Sequence, residues 1–124
     1  MNFEQCYELL INITDTWDSL EKQYRSLYKD YQKLTLDHDL GKDVSYVGEK
    51  LQSKYVYCRS LKKEISMKWK ILEGHWHSFV DDILLRKQYE QCLRIRKRAL
   101  FFKNWLKKAA RTNDQRCFGL NLYM

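Results

Sequence analysis

The sequence predicts an all-α protein, an elongated antiparallel bundle of two to three long helices packed in coiled-coil fashion. Three observations carry this expectation. The 124 residues contain no proline and only four glycines, and these are the residues that break or weaken helices. Apolar side chains recur at alternating steps of three and four along most of the chain, which is helical periodicity and not the alternation of a half-buried strand. A single stretch, "DHDLGKDVS", collects the stop and capping residues expected between two helices.

The first element is the most regular. Phe3, Cys6, Leu10, Ile13, Trp17, Leu20, Tyr24, Leu27, Tyr31 and Leu34 follow one another at heptad spacing, as in the seam of a coiled coil. Glu21, Lys22, Arg25, Lys29, Asp30 and Lys33 fall between them as solvated flanks. The helix is expected from about Phe3 to Leu36. The loop follows from Asp37 to Ser45, and so short a connection makes the next helix run antiparallel to the first.

The second element carries Val47, Leu51, Cys58, Leu61, Ile65, Trp69, Leu72, Trp76, Phe79 and Ile83 on one stripe. Lys54 interrupts it, and an extra step of four at Trp69 is a stutter, which unwinds a supercoil locally without ending the helix. Trp17, Trp69, Leu72, Trp76 and Phe79 are therefore expected in the structural core, facing the first helix.

From Leu85 the stripe resumes with Tyr89, Cys92, Ile95, Ala99, Phe102, Leu106 and Ala109. A two-helix hairpin would leave one side of its seam in water, so something must cover it. Either this last segment folds back as a third helix, or a second copy of the chain lies there. Folding back needs a break between Gly74 and Asp82, and Gly74 with the Asp81–Asp82 pair supplies the only breakers, which favours it. Residues 1–110 are thus expected to form one helical bundle, and 111–124, where the periodicity is lost, a flexible C-terminal tail.

The stretch "CRSLKKEISMKWKIL" resembles a spectrin repeat. Cys58, Leu61, Ile65, Trp69 and Leu72 occupy the positions around that family's helical tryptophan, and "LFFKNWLKKA" offers Phe102, Trp105 and Leu106 for the second tryptophan and leucine of the following helix. "TWDSL" at Thr16 to Leu20 echoes the same pattern. The resemblance covers about Ser45 to Ala110. It implies a three-helix repeat that serves as a cytoskeletal linker.

Catalytic chemistry is not signalled. There is no glycine-rich phosphate loop, no HExxH and no calcium-loop pattern. Asp81 and Asp82 are adjacent, so on a helix they diverge by about 100° and make a poor carboxylate pair; they read as helix-start charges or as part of a solvated face. His75 and His77, two apart, would point about 200° from each other on a helix and could not clamp one ion. No metal and no cofactor are expected. Cys6, Cys58, Cys92 and Cys117 are widely spaced without a CxxC pair, and read as reduced thiols of an intracellular, cytoplasmic protein. The N-terminal stretch has no basic leader before an apolar run, and no apolar stretch reaches bilayer-spanning length.

Charge is distributed unevenly. Residues 1–85 carry 12 basic and 14 acidic side chains, a net of −2, whereas residues 86–124 carry 11 basic and 2 acidic, a net of +9. The basic surface centres on Arg94, Arg96, Lys97, Arg98, Lys103, Lys107, Lys108 and Arg111, interleaved with Leu100, Phe101, Phe102, Trp105 and Leu106. It could bind nucleic-acid phosphates, lie on an acidic lipid surface, or dock as a calmodulin-type target with Leu93, Leu100 and Leu106 as anchors; it could equally be the solvated face of a packed helix. The reading of the whole is a non-enzymatic structural or adaptor module, a scaffold for protein–protein interaction and, through the resemblance, a cytoskeletal linker. Its partner is expected to be helical or cytoskeletal, with a second copy of the chain as a further partner. The alternative is a small basic helical protein that binds nucleic acid or an acidic membrane surface through residues 94–111.

Overall fold

The computed structural model describes residues 1–79 and 81–112, the side chains of Ser45 and of residues 109–112 excepted. Three α-helices are formed, α1 (Phe3–Asp39), α2 (Ser45–Glu73) and α3 (Ile83–Thr112), with a short 3₁₀ turn at Trp76–Ser78 between the last two. The described residues hold no strand. The expected tail begins at 111, where α3 still runs to Thr112; the rest of it lies outside the described residues.

Helix α1 is 37 residues long, or about 55 Å at 1.5 Å per residue. A capping box starts it: the Gln5 backbone N–H donates to the Asn2 side chain at 2.9 Å, and the Asn2 backbone N–H donates to the Gln5 side chain at 3.0 Å. Of the expected seam residues only Phe3 stays half-buried; Cys6 through Leu34 are all buried.

The helix outlasts its expected end by three residues and closes with a Schellman motif. The Lys42 N–H returns to the Asp37 carbonyl and the Gly41 N–H to that of His38, both at 3.0 Å. Gly41 carries the left-handed turn at φ +80°. A Cβ there would meet nothing within 4 Å, so the penalty for Gly41→Ala is purely conformational. Chemical denaturation should show a loss of about 1–2 kcal/mol, and an unchanged midpoint would contradict this closure.

Helix α2 runs back along α1. Lys54 reaches Asp30 at 3.3 Å near one end and Lys68 reaches Asn12 at 2.5 Å near the other. Val44, Leu51, Tyr55, Cys58, Ile65 and Leu72 face inward and are buried. The interruption expected at Lys54 is filled by its neighbour Tyr55, at 2% exposure. Val47, expected on the stripe, is 41% exposed.

The chain then reverses a second time and α3 runs parallel to α1, covering the side that a two-helix hairpin would leave open. Gln88 meets Thr14 at 3.1 Å, Arg98 meets Glu21 at 3.6 Å, and Trp105 meets Tyr28 at 5.5 Å between ring centroids. Helix α2 ends at Glu73 with Gly74 as its C-cap, and Asp82 starts α3, its side chain accepting the Leu85 N–H at 3.1 Å as an N-cap. Gly74 keeps an ordinary right-handed helical conformation, and a Cβ on it would come no closer than 3.5 Å to its neighbours. Asp82→Ala should therefore lower stability by about 1 kcal/mol, whereas Gly74→Ala should leave it unchanged or slightly raised. The opposite ranking in thermal melts would show that the glycine matters more to the reversal than the aspartate cap.

Helix α1 packs extensively against both other helices, and more against α3 than against α2, while α2 and α3 stay apart from each other. Leu85, Cys92, Ile95, Ala99 and Leu106 bring the third face into the core. Two expected core positions hold, Trp17 at 5% exposure and Leu72 at 1%. Trp69, Trp76 and Phe79 are corrections: all three are half-buried and pack at the margin of the core. From Ile65, a step of four lands about 40° past a full turn. This swings Trp69 off the α1 seam onto the flank that faces α3.

Candidate functional site

The gap between α2 and α3 is the most distinctive surface of the bundle. Aromatic side chains bridge part of it. Tyr89 of α3 stacks on Trp69 with ring centroids 5.7 Å apart and lies 4.9 Å from Trp76. The Trp69 indole N–H donates to Glu73 at 2.7 Å, which fixes the ring at the rim. Beside this bridge lies an open groove of about 340 Å³. Trp17 of α1 floors it, Ile65 and Trp69 form one wall, and Leu93 and Leu100 form the other. Arg96 reaches across with its guanidinium 5.9 Å from the centre of the Trp17 ring, at the outer limit of a cation–π contact.

The basic segment does not form one face. Helix α3 sends its cations in three directions. Arg98 turns to α1 and pairs with buried Glu21 at 3.6 Å while its own side chain stays exposed. On the same side Arg25 of α1 sits 4.9 Å over the Phe102 ring. Arg94, Lys97 and Lys108 are exposed, and Arg94 is held by Gln91 at 2.8 Å. Phe101 and Trp105 share that outward side at 53% and 47% exposure. Arg96, Lys103 and Lys107 turn towards α2. The side chain of Arg111 lies outside the described residues.

The three anchor leucines are likewise separated. Leu106 is buried in the core at 2% exposure, whereas Leu93 and Leu100 are half-buried at the groove. A target-type docking of α3 by all three would require the helix to leave the bundle.

The residues that sequence reasoning missed are on α2. Arg59, Lys62 and Lys63 meet Lys103 at a second crevice, of about 510 Å³, between the two helices. Lys62 and Lys103 line that crevice from its two sides. Burial, the contact with Lys62, and the charges of Lys62, Lys107 and Arg59 together push the Lys103 ammonium down to about 8. The available signal was the spacing 59, 62, 63, 66, which puts Arg59, Lys62, Lys63 and Ser66 on one helical face. It was hidden because a charge pattern on one helix does not say which helix it will face.

The buried interior is thiol- and phenol-rich and closed. Cys6, Cys58 and Cys92 are free and buried. Burial pushes the Cys58 thiol up to about 11 and also raises Cys6 and Cys92, with the Thr14 side chain opposing part of the shift at Cys92. Burial also raises the Tyr24 hydroxyl, and the neighbouring Cys58 and Tyr55 add to the effect. At pH 8 a thiol with a pKa of about 11 is ionised to roughly one part in a thousand, about a hundredfold less than an ordinary one. Alkylation of Cys58 in the native protein should be slower than in the denatured chain by at least that factor. A native rate close to the denatured one would show that the core opens readily.

Among the described residues no group of three or more histidine, cysteine or acidic side chains could hold a metal ion. His75 and His77 lie in the turn around the 3₁₀ segment, where the helical geometry assumed for them does not apply. No described helix is long and apolar enough to cross a membrane. The chain matches no protein-family model, no curated protein and no solved structure with which it was compared.

Proposed function

We propose that this protein is a non-enzymatic structural or adaptor module that binds a protein partner through the groove between α2 and α3. The observation that carries the reading is the apolar lining of that groove by Trp17, Ile65, Trp69, Leu93 and Leu100. Two helices that pack on α1 more than on each other, and are bridged by aromatic rings, leave a furrow of the kind into which an amphipathic helix lays its apolar face. The likeness of the segments around Trp69 and Trp105 to spectrin repeats extends the proposal to a cytoskeletal linker. The up-down-up order of the three helices supports that extension. A cytoplasmic setting belongs to the same proposal and is supported by the three buried free thiols.

The test begins with a photo-reactive amino acid at Leu93, to cross-link and identify the partner in cells. The partner is then reconstituted with wild-type protein and with Leu93→Asp/Leu100→Asp, both positions being half-buried and outside the central core. The double variant should weaken binding at least tenfold with its helical content intact. Undiminished binding would sink the groove as the docking surface. Solution mass in dilute and concentrated protein tells a foreign partner from a second copy.

A second reading, polyanion binding, is favoured by the cations that α2 and α3 bring together. They lie beside the groove, not along residues 94–111 alone.

A further inference from the structure

The cations at the second crevice come from two helices and gather around one hollow. Four other lysines of the bundle each find a carboxylate: Lys22 pairs with Asp18, Lys42 with Asp37, Lys54 with Asp30, and Lys68 with Glu64. At the crevice, Arg59, Lys62 and Lys63 of α2 face Lys103 of α3, and Lys107 lies one turn beyond Lys103. None of these five forms an ion pair with a carboxylate among the described residues. Like charges gathered around one crevice repel unless one group gives up its proton or an anion shares them.

We propose that the crevice between Arg59, Lys62 and Lys63 on α2 and Lys103 and Lys107 on α3 is a binding site for a compact soluble anion carrying several adjacent phosphate groups. Charge complementarity sets the sign of the ligand: five cations without a counter-charge neutralise several negative charges at close range, and ammonium and guanidinium groups make their strongest hydrogen bonds to phosphate oxygens. Shape sets its size. Arg59, Lys62 and Lys103 are half-buried in the walls of the crevice, Lys63 on its wall is exposed, and Lys107 is half-buried one turn beyond Lys103. A small anion can enter and touch the four cations that line it, with the charge of Lys107 close by. A planar lipid surface or a long polymer would first meet the outward cations Arg94, Lys97 and Lys108, which lie on another side of α3. Ser66, on the same face of α2, adds a hydroxyl donor at the edge. The depressed Lys103 ammonium is consistent with this arrangement, since a bound anion would restore its charge. The site shares Lys62 and Ser66 with the protein-docking groove, and a titration of the free chain tests it with that groove empty of a partner.

The experiment is a calorimetric titration of the full chain with tripolyphosphate at about 50 mM salt. It is repeated with inorganic phosphate, a single-stranded RNA oligonucleotide and phosphatidylserine vesicles. Tripolyphosphate should bind in a one-to-one complex, and at least tenfold tighter than inorganic phosphate. Lys62→Gln/Lys103→Gln should weaken it at least tenfold, and Lys97→Gln/Lys108→Gln by less than threefold. In the unmodified protein the Lys103 side-chain titration, followed by NMR, should move upward by at least one pH unit when tripolyphosphate is added. This measurement does not rely on any variant folding. No tripolyphosphate binding at this salt would overturn the proposal. Equal losses in the two double variants would do so as well, by showing a diffuse charge effect, and so would binding of the RNA or the vesicles alone.

Discussion

Replacing Trp17 with alanine is expected to lower the stability of the protein by about 3–5 kcal/mol, the range for removing a large aromatic from a core. Trp17 is 5% exposed near the middle of α1. Its ring floors the groove between α2 and α3, beneath Ile65 and Leu100, so neighbours on both other helices would lose contact with it at once. The surroundings cannot close over the vacancy easily, because the helices are held apart by other large side chains, Trp69, Trp76 and Tyr89, at the same end. Trp69→Ala should be milder, about 1–2 kcal/mol, since that ring is half-buried and gives up roughly half the apolar contact. Urea titrations of the two variants side by side check the ranking. If Trp69 proved as costly as Trp17, it would belong to the core and the gap between α2 and α3 would be closed in solution.

Leu20→Asp should be the more damaging change, and its effect should depend on pH. Leu20 is fully buried at 0% exposure, among the apolar residues through which α1 contacts both partners. A carboxylate there has no counter-charge and no water. Burial of this kind raises a carboxyl pKa by up to about 3–5 units, equivalent to roughly 4–7 kcal/mol when the unfolded chain is ionised. The folded state would bind the proton more tightly than the unfolded state. Stability must then fall as pH rises above the unfolded value near 4, and go on falling until the raised folded-state pKa is passed. A penalty of this size approaches the whole stability of a small domain. The variant is expected to be largely unfolded at pH 7 and to regain helical circular dichroism towards pH 4. Cooperative folding at pH 7, unchanged between the two pH values, would mean that position 20 is not sealed from water.

The two variants probe different properties of α1. Trp17 reports on packing volume, and Leu20 on the dryness of the seam. Both lie on the helix that packs most extensively against each of the others, which is why single changes there are expected to outweigh changes at the caps.

The first helix was legible from sequence almost residue by residue. Its heptad spacing is a property of the chain alone, since any helix built on Cys6 through Leu34 must put those side chains on one stripe. The loop at Gly41 was equally visible, because a left-handed turn needs a residue without a Cβ. The Asp81–Asp82 pair offered capping chemistry for a break before a third helix, and Asp82 is the residue that caps α3. Absent proline and sparse glycine excluded most alternatives to long helices.

What the tertiary structure decided was the neighbourhood of each stripe. Helical phase says that Trp69, Trp76 and Phe79 lie near the apolar side of α2. Whether they enter the core or stand at its edge depends on where α3 settles. In this bundle α3 lies closer to α1 than to α2, and the tryptophans became a bridge across a gap. The basic segment was divided in the same way. One run of cations in sequence points in several directions around a helix, so that Arg98 serves Glu21, Arg96 overlooks Trp17, and Lys103 meets Lys62. The last pairing joins residues 41 positions apart. Electrostatic energy depends on distance in space, and only the folding back of α3 along α1 brings those two charges together.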